Sequence, residues 1–562
     1  MKTNLRFLCL CALLAASPAS ADIHYVDAAS TNPVSPYTDP GTPARVIQDA
    51  VDASVAGDEI EVADGVYSTG GRAVGTSLLV NRVAVDRAVT VRSKNGPEVT
   101  VIQGYQVPET INGVEAIRCV YLTNGAVLSG FTLSNGATRA SGDYCQKTGG
   151  GVWCVSTDAL VSNCMFTSNS AVEAGGAAFS GTLNNCTLTG SSVAGGDNPR
   201  GGGAYGSILN SCAITGNSVA GGWGFGGGVS YGTLNNCTLT NNSAAYGGGS
   251  HGGVLNNCTL RSNSTWYFGG GANGGTLNNC TLTGNTSPWH GGGASSGTLN
   301  NCTLTGNFGQ YGGGVSSCTL NNCTLTGNSA SAGGGTFGSN LNSSILYYNT
   351  ATSGPNCDTY SILNYCCTTP APASGIGNIT AEPLFVDRLN GDLRLQANSP
   401  CIDWGYNAYA IGSTDLAGNP RTARLRVDIG AYEYQGAGLS EFVAWLQNFG
   451  LATDGTADFT DPDGDGHDNH FEFTAGLVPT DPQSRFALHI ASVLGQPAQK
   501  KIVFAPIIVG RSYSVEYRDS LATPPWTPLT GTTQVDSGSE RTVTDTGATG
   551  PRKFYHVKVE KP

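Results

Sequence analysis

The segment "DPDGDGHDNHFE", Asp461 to Glu472, holds the residues whose types and spacing come closest to a ligand set. Counting from Asp461, carboxylates stand at places one, three and five (Asp461, Asp463, Asp465). Glycine stands at six, His467 at seven, Asn469 at nine and Glu472 at twelve. Oxygen donors at those intervals wrap a hard cation. Glycine makes the tight turn, place seven offers its backbone carbonyl, and the final glutamate can bind through both oxygens. The expectation is a structural calcium ion held by Asp461, Asp463, Asp465, the His467 carbonyl, Asn469 and Glu472; the alternative is a solvated acidic turn.

A second candidate has no charge at all. Glycine triplets begin at Gly201, Gly226, Gly247, Gly269, Gly291, Gly312 and Gly333. Five consecutive triplets from Gly226 are each preceded by a ring, namely Phe225, Tyr246, Phe268, His290 and Tyr311, with Trp223, Trp266, Tyr267 and Trp289 close by. Rings repeated at a fixed interval fit two roles: sealing a core by folding over the glycines, or stacking against the faces of neutral sugar rings. No P-loop lysine follows any triplet, so phosphate binding is not expected.

Glycosidase chemistry needs two carboxylates at a set separation, and lyase chemistry needs a base with charge neutralisation of the substrate acid. Between Gly201 and Thr350 there is no Asp, Glu or Lys, and Arg261 is the one arginine. The central segment is therefore expected to be non-catalytic. Acids recur at its edges (Asp143 and Asp158, then Asp387, Asp403, Asp415, Asp428 and Glu433), with Arg421, Arg424 and Arg426 among the later ones. Ion pairs and turn caps account for these more simply than an active site does.

The elements that must position these groups are written into a repeat. "TLNNCTLT" and its relatives place a cysteine at Cys164, Cys186, Cys212, Cys237, Cys258, Cys280, Cys302 and Cys323, at intervals of 21 to 26 residues. Cys186 and Leu188 alternate with Thr187 and Thr189, the period of a strand, so cysteine and leucine face inward. Leu183 has the opposite parity, so the chain must bend at Asn184–Asn185, where asparagine tolerates the left-handed region. A period in the low twenties without helical patterning marks a β-solenoid. The expected fold is all-β: a right-handed parallel β-helix with asparagine stacked on asparagine and buried thiols filling a narrow core. Cys119, Cys145, Cys154, Cys318, Cys357, Cys366 and Cys367 lie outside the frame and are the better disulfide candidates.

The flanks complete the plan. Lys2 and Arg6 before "FLCLCALLAA" and the small residues at 19–21 read as a secretory signal, with Asp22 the first mature residue. Residues 44–67 read as a capping helix (Val46, Ile47, Ala50, Val51) and then a first strand; this resembles the cap of exported proteins of the pectate-lyase-like superfamily. "GNITAEPLFVD", "NSPCIDWG", "DLAGNPR" and "VDIGAYEY", between Gly377 and Tyr434, resemble the choice-of-anchor Q family. That resemblance implies a β-helix followed by a surface-sorting region and no established catalytic residues. In the loop at 461–472, Pro462 and "ATDGTADFT" replace the adjoining helix of an EF-hand, so it is more similar to a dockerin or thrombospondin-type structural loop. Residues 485–562 alternate apolar and polar, as a small antiparallel β domain would.

The expected divisions are a signal peptide (1–21), cap and first coils (22–115), repeat array (116–356), choice-of-anchor Q-like module (357–435), helical linker with the calcium loop (436–484) and C-terminal β domain (485–562). With a net charge of −12, nucleic acid is an unfavourable partner, and no apolar run is long enough for a membrane helix. The expectation is an exported surface protein, adhesive or contacting a neutral polysaccharide or cell-surface glycan. Rival readings are a polysaccharide lyase or hydrolase with its site at one end of the array, and a plain structural spacer.

Overall fold

A computed structural model describes residues 21–520, 525–548 and 552–561, so all but the last residue of the expected signal peptide lies outside the described residues. The chain divides into two compact units. The first comprises the residues up to 320 together with 325–340 and 348–361, and the second comprises 321–324, 341–347 and 362–562.

The first unit is a parallel β-helix, and the coil from Gly247 to Phe268 shows how the repeat folds. Strands Ser250–His251, Val254–Asn256, Thr259–Arg261 and Ser264–Phe268 form its four sides. The corners between them are left-handed: Gly252 and Gly253, then Asn257 (φ 54°), Ser262 (φ 54°) and Gly269 (φ 71°). The second residue of the "NN" pair thus makes one corner of each coil, and Asn185, Asn236, Asn279 and Asn301 repeat it at φ between 51° and 55°. At the glycine corner, a side chain on Gly270 would collide with the carbonyl of Gly292, one coil further on. Only glycine lets the coils approach that closely.

Each side stacks on the same side of the next coil in register, Leu234 on Leu255 and Leu255 on Leu277. Two of the four sheets, of twelve and nine strands, run entirely within this unit. Leu183, Leu209, Leu234, Leu255, Leu277 and Leu299 form one buried column, and Leu188, Ile214, Leu239, Leu260, Leu282 and Leu304 another. Removing each such side chain from water contributes about 1.5–3 kcal/mol. Between them the cysteines remain thiols. The Cys186 N–H donates to the Cys212 sulfur at 3.4 Å, and the Cys186 thiol donates to the Asn184 carbonyl at 3.3 Å. Strand spacing holds neighbouring cysteines of this column too far apart for a disulfide. Of the disulfide candidates outside the frame, Cys119, Cys145, Cys154, Cys318 and Cys367 also carry thiols; burial pushes Cys119, Cys154 and Cys318 up to about 12, which makes them inert.

Asparagine stacks on asparagine twice. At the half-exposed corner, the Asn210 amide donates to Asn184 at 2.8 Å, and Asn235, Asn256, Asn278 and Asn300 continue the chain at 2.8–2.9 Å. The stronger ladder lies at the next corner, which sequence periodicity does not single out. Asn217, Asn242, Asn263, Asn285, Asn307 and Asn328 are fully buried there. Asn263 donates its side-chain amide to the Leu239 carbonyl (2.9 Å) on one side and to Asn285 (3.0 Å) on the other. Its oxygen accepts both the backbone N–H and the side-chain N–H of Asn242, each at 3.0 Å. Every polar atom of the side chain is used.

Helix α1 (Ile47–Ala53) buries Ile47, Gln48, Ala50 and Val51. The Gln48 amide donates to the Ala84 carbonyl (3.2 Å) while its oxygen accepts the Ala84 N–H (2.7 Å). A strand, Ile23–Val26, precedes this helix and pairs with Glu59–Val62, so the first strand comes before the helix rather than after it.

In the second unit, residues 401–458 bury an ion network. Arg426 pairs with Asp458 at 2.6 Å with both side chains fully buried, Arg424 lies 3.0 Å from Asp403, and Arg421 lies 3.6 Å from Glu433. Helix α2 (Glu441–Asn448) starts on Ser440, whose hydroxyl accepts the Val443 N–H. Helix α3 (Asn469–Ala475) starts on Asp468 in the same way. The C-terminal strands form antiparallel sheets of four and three strands around Ile502, Phe504, Val515, Val543 and Val557. No helix among the described residues is long and apolar enough to cross a membrane.

Asn263→Ala leaves two donors of Asn242 unpaired in the core, so it should destabilise the chain by about 3 kcal/mol or more. Thr259→Ala on the exposed side should stay within about 0.5 kcal/mol. Urea denaturation of the two variants measures the contrast.

Candidate functional site

The predicted rings separate into an inner column and an outer set. Phe225, Tyr246, Phe268, His290 and Tyr311 are half-buried and adjacent in register. Their centroids are 5.2 Å apart for Phe225–Tyr246, 5.5 Å for Tyr246–Phe268, 5.2 Å for Phe268–His290 and 5.0 Å for His290–Tyr311.

The twelve-stranded sheet explains why rings occupy this column. Its outward position reads Tyr121, Trp153, Phe179, Tyr205 over the first coils and then Ser230, His251, Asn273, Ser295, Ser316. Where that position is large, its own rings stack: Tyr121–Trp153 at 5.4 Å, Trp153–Phe179 at 5.9 Å and Phe179–Tyr205 at 5.4 Å. Where it becomes small, the rings before the glycine triplets take over the cover. Phe225 lies 4.7 Å from His251, and the His290 ring meets the Ser316 hydroxyl at 3.2 Å. The inner column is a lid on the glycine corner. The first four rings escaped the sequence reading, although Trp153, Phe179 and Tyr205 each fall four residues after the first residue of their glycine corner (Gly149, Gly175, Gly201).

The outer set is different. Trp223 is 64% exposed, Trp266 59%, Trp289 48% and Phe308 50%. Strands Ser264–Phe268 and Thr286–His290 each carry one more residue than the neighbours Ser243–Tyr246 and Phe308–Tyr311, and the register shifts at both. These bulges re-aim side chains, and here they turn out Trp266 and Trp289. The Ser287 hydroxyl pins the second bulge by donating to the Tyr267 carbonyl (2.8 Å) and accepting the Trp289 N–H (3.3 Å). Trp223 and Tyr267 spend their faces on Tyr246, at 5.8 and 5.4 Å. Trp266 and Trp289 enter no ring pair among the described residues, which leaves their faces open. Phe308 belongs with them and was not among the predicted residues.

The face is electrically quiet. Burial, helped by Arg200, holds His251 down to about 4, and burial also lowers His290, so both are neutral near pH 7. The edge acids do not supply an open constellation. Asp143 and Asp158 are exposed, and Asp387 caps a turn by accepting the Asn390 N–H. Asp403, Asp415, Asp428 and Glu433 are shut inside the second unit. Burial there pushes Asp428 up to about 6 and, with Asp428 beside it, Glu433 up to about 8.

In the loop at 461–472, Asp461, Asp463 and Asp465 bring one oxygen each within 4.8 Å of one another. Asp461 shapes the turn by accepting the N–H groups of Gly464 and Gly466, each at 2.8 Å. One oxygen each of Asp463 and Asp465 and both oxygens of Glu472 are buried without a hydrogen-bond partner. Burial, followed by the charges of Asp463, Asp465 and Asp461, pushes Glu472 up to about 8. A fully buried carboxylate beside three others, with no donor facing it, is an arrangement that a divalent cation would satisfy. Asn469 is also buried; its nitrogen donates to the Ala457 carbonyl at 2.7 Å and its oxygen is unpartnered. The His467 ring turns away, meeting the Phe486 carbonyl at 2.9 Å and stacking on Phe471, which leaves its carbonyl as the group at place seven.

No family model matches the chain, and no curated protein does. Among solved structures, it is similar to pectate lyase Pel9A at 14% identity, covering 74% of this chain and 97% of that one, with a TM-score of 0.35. A PL6-family alginate lyase, AlyGC, is 13% identical, with 70% and 58% covered and a TM-score of 0.34. The Dettilon tailspike protein is 8% identical, with 96% and 94% covered and a TM-score of 0.31. Likenesses at this level carry no argument about what the chain does.

Tyr246→Ala removes a ring packed between Phe225 and Phe268 and should lower stability by about 3 kcal/mol. Trp266→Ala should change it by less than about 0.5 kcal/mol. Thermal unfolding of the two variants separates the lid from the exposed set.

Proposed function

We propose that this chain is a non-catalytic, exported surface protein whose β-helix contacts neutral glycans through its outer rings. One observation carries the reading: consecutive coils spend a bulge on turning Trp266 and Trp289 outward, with open faces, on a surface without fixed charge. A lid over the core requires neither the bulge nor the exposure. Rings one coil apart stand about 4.8 Å from each other along the axis, close to the advance of one sugar in an extended chain. A linear polysaccharide lying along the rod would meet one ring per coil. The same proposal includes right-handed winding, the usual hand of crossovers between parallel strands. It also includes α1 as the cap of the first coil and kinship of residues 377–434 with choice-of-anchor Q modules, which rests on their four motifs. The loop at 461–472 is proposed to hold a structural calcium ion that neutralises Asp461, Asp463, Asp465 and Glu472 and stiffens the start of α3.

Retention on insoluble neutral polysaccharides and affinity for soluble oligosaccharides test the glycan reading. The double variant Trp266→Ala, Trp289→Ala should weaken binding by roughly tenfold or more with unchanged unfolding temperature. Unchanged binding would leave the rod a spacer.

Calorimetric titration should show one calcium ion bound with a dissociation constant on the order of 1 mM or tighter, and saturating calcium should raise the unfolding temperature. Glu472→Gln should abolish that rise while leaving the calcium-free protein no less stable, because it replaces a buried carboxylate that has no partner. No heat of binding would remove calcium from the account.

A further inference from the structure

The uncharged face has a charged head. Arg200 immediately precedes the glycine triplet at Gly201 and stands in the inner ring column, next in register to Phe225. Its guanidinium lies over two rings, 5.9 Å from the Phe225 centroid and 5.8 Å from that of Tyr231. Rings hold a guanidinium flat but leave its N–H groups unsatisfied. Among the described residues no carboxylate pairs with it: the nearby Glu173 is paired with Lys147, and the buried Arg200 Nε has no acceptor.

His251 shares the enclosure. Its ring is 4.7 Å from Phe225 and 5.4 Å from Tyr231. The Tyr231 hydroxyl lies 3.4 Å from His251 Nε2. When that hydroxyl donates, the neutral ring carries its proton on Nδ1, and Nδ1 is buried without a partner. Two orphaned donors, one of them on a full positive charge, are thus held around the same pair of rings. Leaving such donors empty in a half-buried place is costly, and an anion with more than one oxygen would satisfy both. Tyr231 is 50% exposed and Arg200 and His251 are half-buried, so the pair lies at the edge of solvent with its two orphaned nitrogens turned inward.

We propose that Arg200 and His251, bracketed by Phe225 and Tyr231, form a recognition point for one anionic substituent of a glycan, a carboxylate or a sulfate, at the head of the neutral ring track. This rests on the glycan reading and adds a polarity to it: an acidic unit is read at Arg200 while neutral units lie further along the coils. A planar, bidentate guanidinium suits both oxyanions. The step is binding alone; no bond is made or broken.

The test measures affinities of the full chain for cellotetraose, tetragalacturonate and a sulfated carrageenan tetrasaccharide, in wild type, Arg200→Gln and Arg200→Lys. Wild type should bind at least one acidic tetrasaccharide roughly tenfold or more tighter than cellotetraose, with the difference shrinking at high salt. Which acidic ligand gains identifies the substituent. Arg200→Gln should erase the preference while leaving cellotetraose binding and unfolding temperature unchanged, and Arg200→Lys should keep part of it. Equal wild-type affinities for all three, or a preference that survives Arg200→Gln, overturns this inference and leaves the glycan reading standing. Failure of wild type to bind any of the three overturns both.

Discussion

The buried asparagine ladder is the constraint on which the rest of the first unit depends. A coil of four short strands has four corners, and each corner leaves backbone groups unpaired. Asn217 through Asn328 close one set: each side chain takes hydrogen bonds from the coil on one side and gives them to the carbonyls and the asparagine of the coils on either side. This chain of amides fixes the height of each coil and its rotational register together. Leucines stack on leucines and rings on rings because the amides admit no slip, since a slip of one residue would expose every core side chain.

Register also sets the rings of the outer surface in successive coils rather than scattering them. The twelve-stranded sheet passes from Tyr205 to Ser230 in its outward column, and the ring before the glycine triplet passes from Arg200 to Phe225 over the same step. The volume lost on one column is returned by its neighbour. Arg200 and His251 sit at that exchange, which is why a guanidinium there is roofed by rings and not by acids. Beyond it, the bulges at Trp266 and Trp289 add what the lid does not need. The second unit handles charge in the opposite manner, burying Arg421, Arg424 and Arg426 against acids. A buried pair of this kind is weak as a stabiliser, and removing one partner is costly.

Much of this was legible in the sequence because a solenoid repeats its instructions. The parity break between Leu183 and Cys186 located a corner, and Asn185 occupies it with a positive φ. The "NN" pairs stack as their spacing implied, and the frame cysteines from Cys186 to Cys280 are thiols. What periodicity could not reveal was rank. The asparagine of "TGN" carries no mark that sets it above the "NN" pair, yet Asn285 and Asn307 belong to the buried ladder while Asn278 and Asn300 belong to the outer one. Nor could a list of rings distinguish Tyr246, which is sandwiched, from Trp266, which is not. That difference arises from a one-residue bulge visible only once strands are paired. Arg200 was missed for a related reason: it stood just outside the acid-free segment and gained meaning from Phe225 and Tyr231 on the following coils.

An open track of rings without carboxylates holds a polymer and leaves its bonds intact, and that is the claim on which the account stands. Incubating the full chain, with and without calcium, with insoluble and soluble polysaccharides tests it directly, measuring bound protein alongside new reducing ends and new unsaturated ends. Protein retained on the polymer with neither kind of end accumulating is the predicted result. Steady release of either, lost on substituting a residue of the ring face, would contradict it.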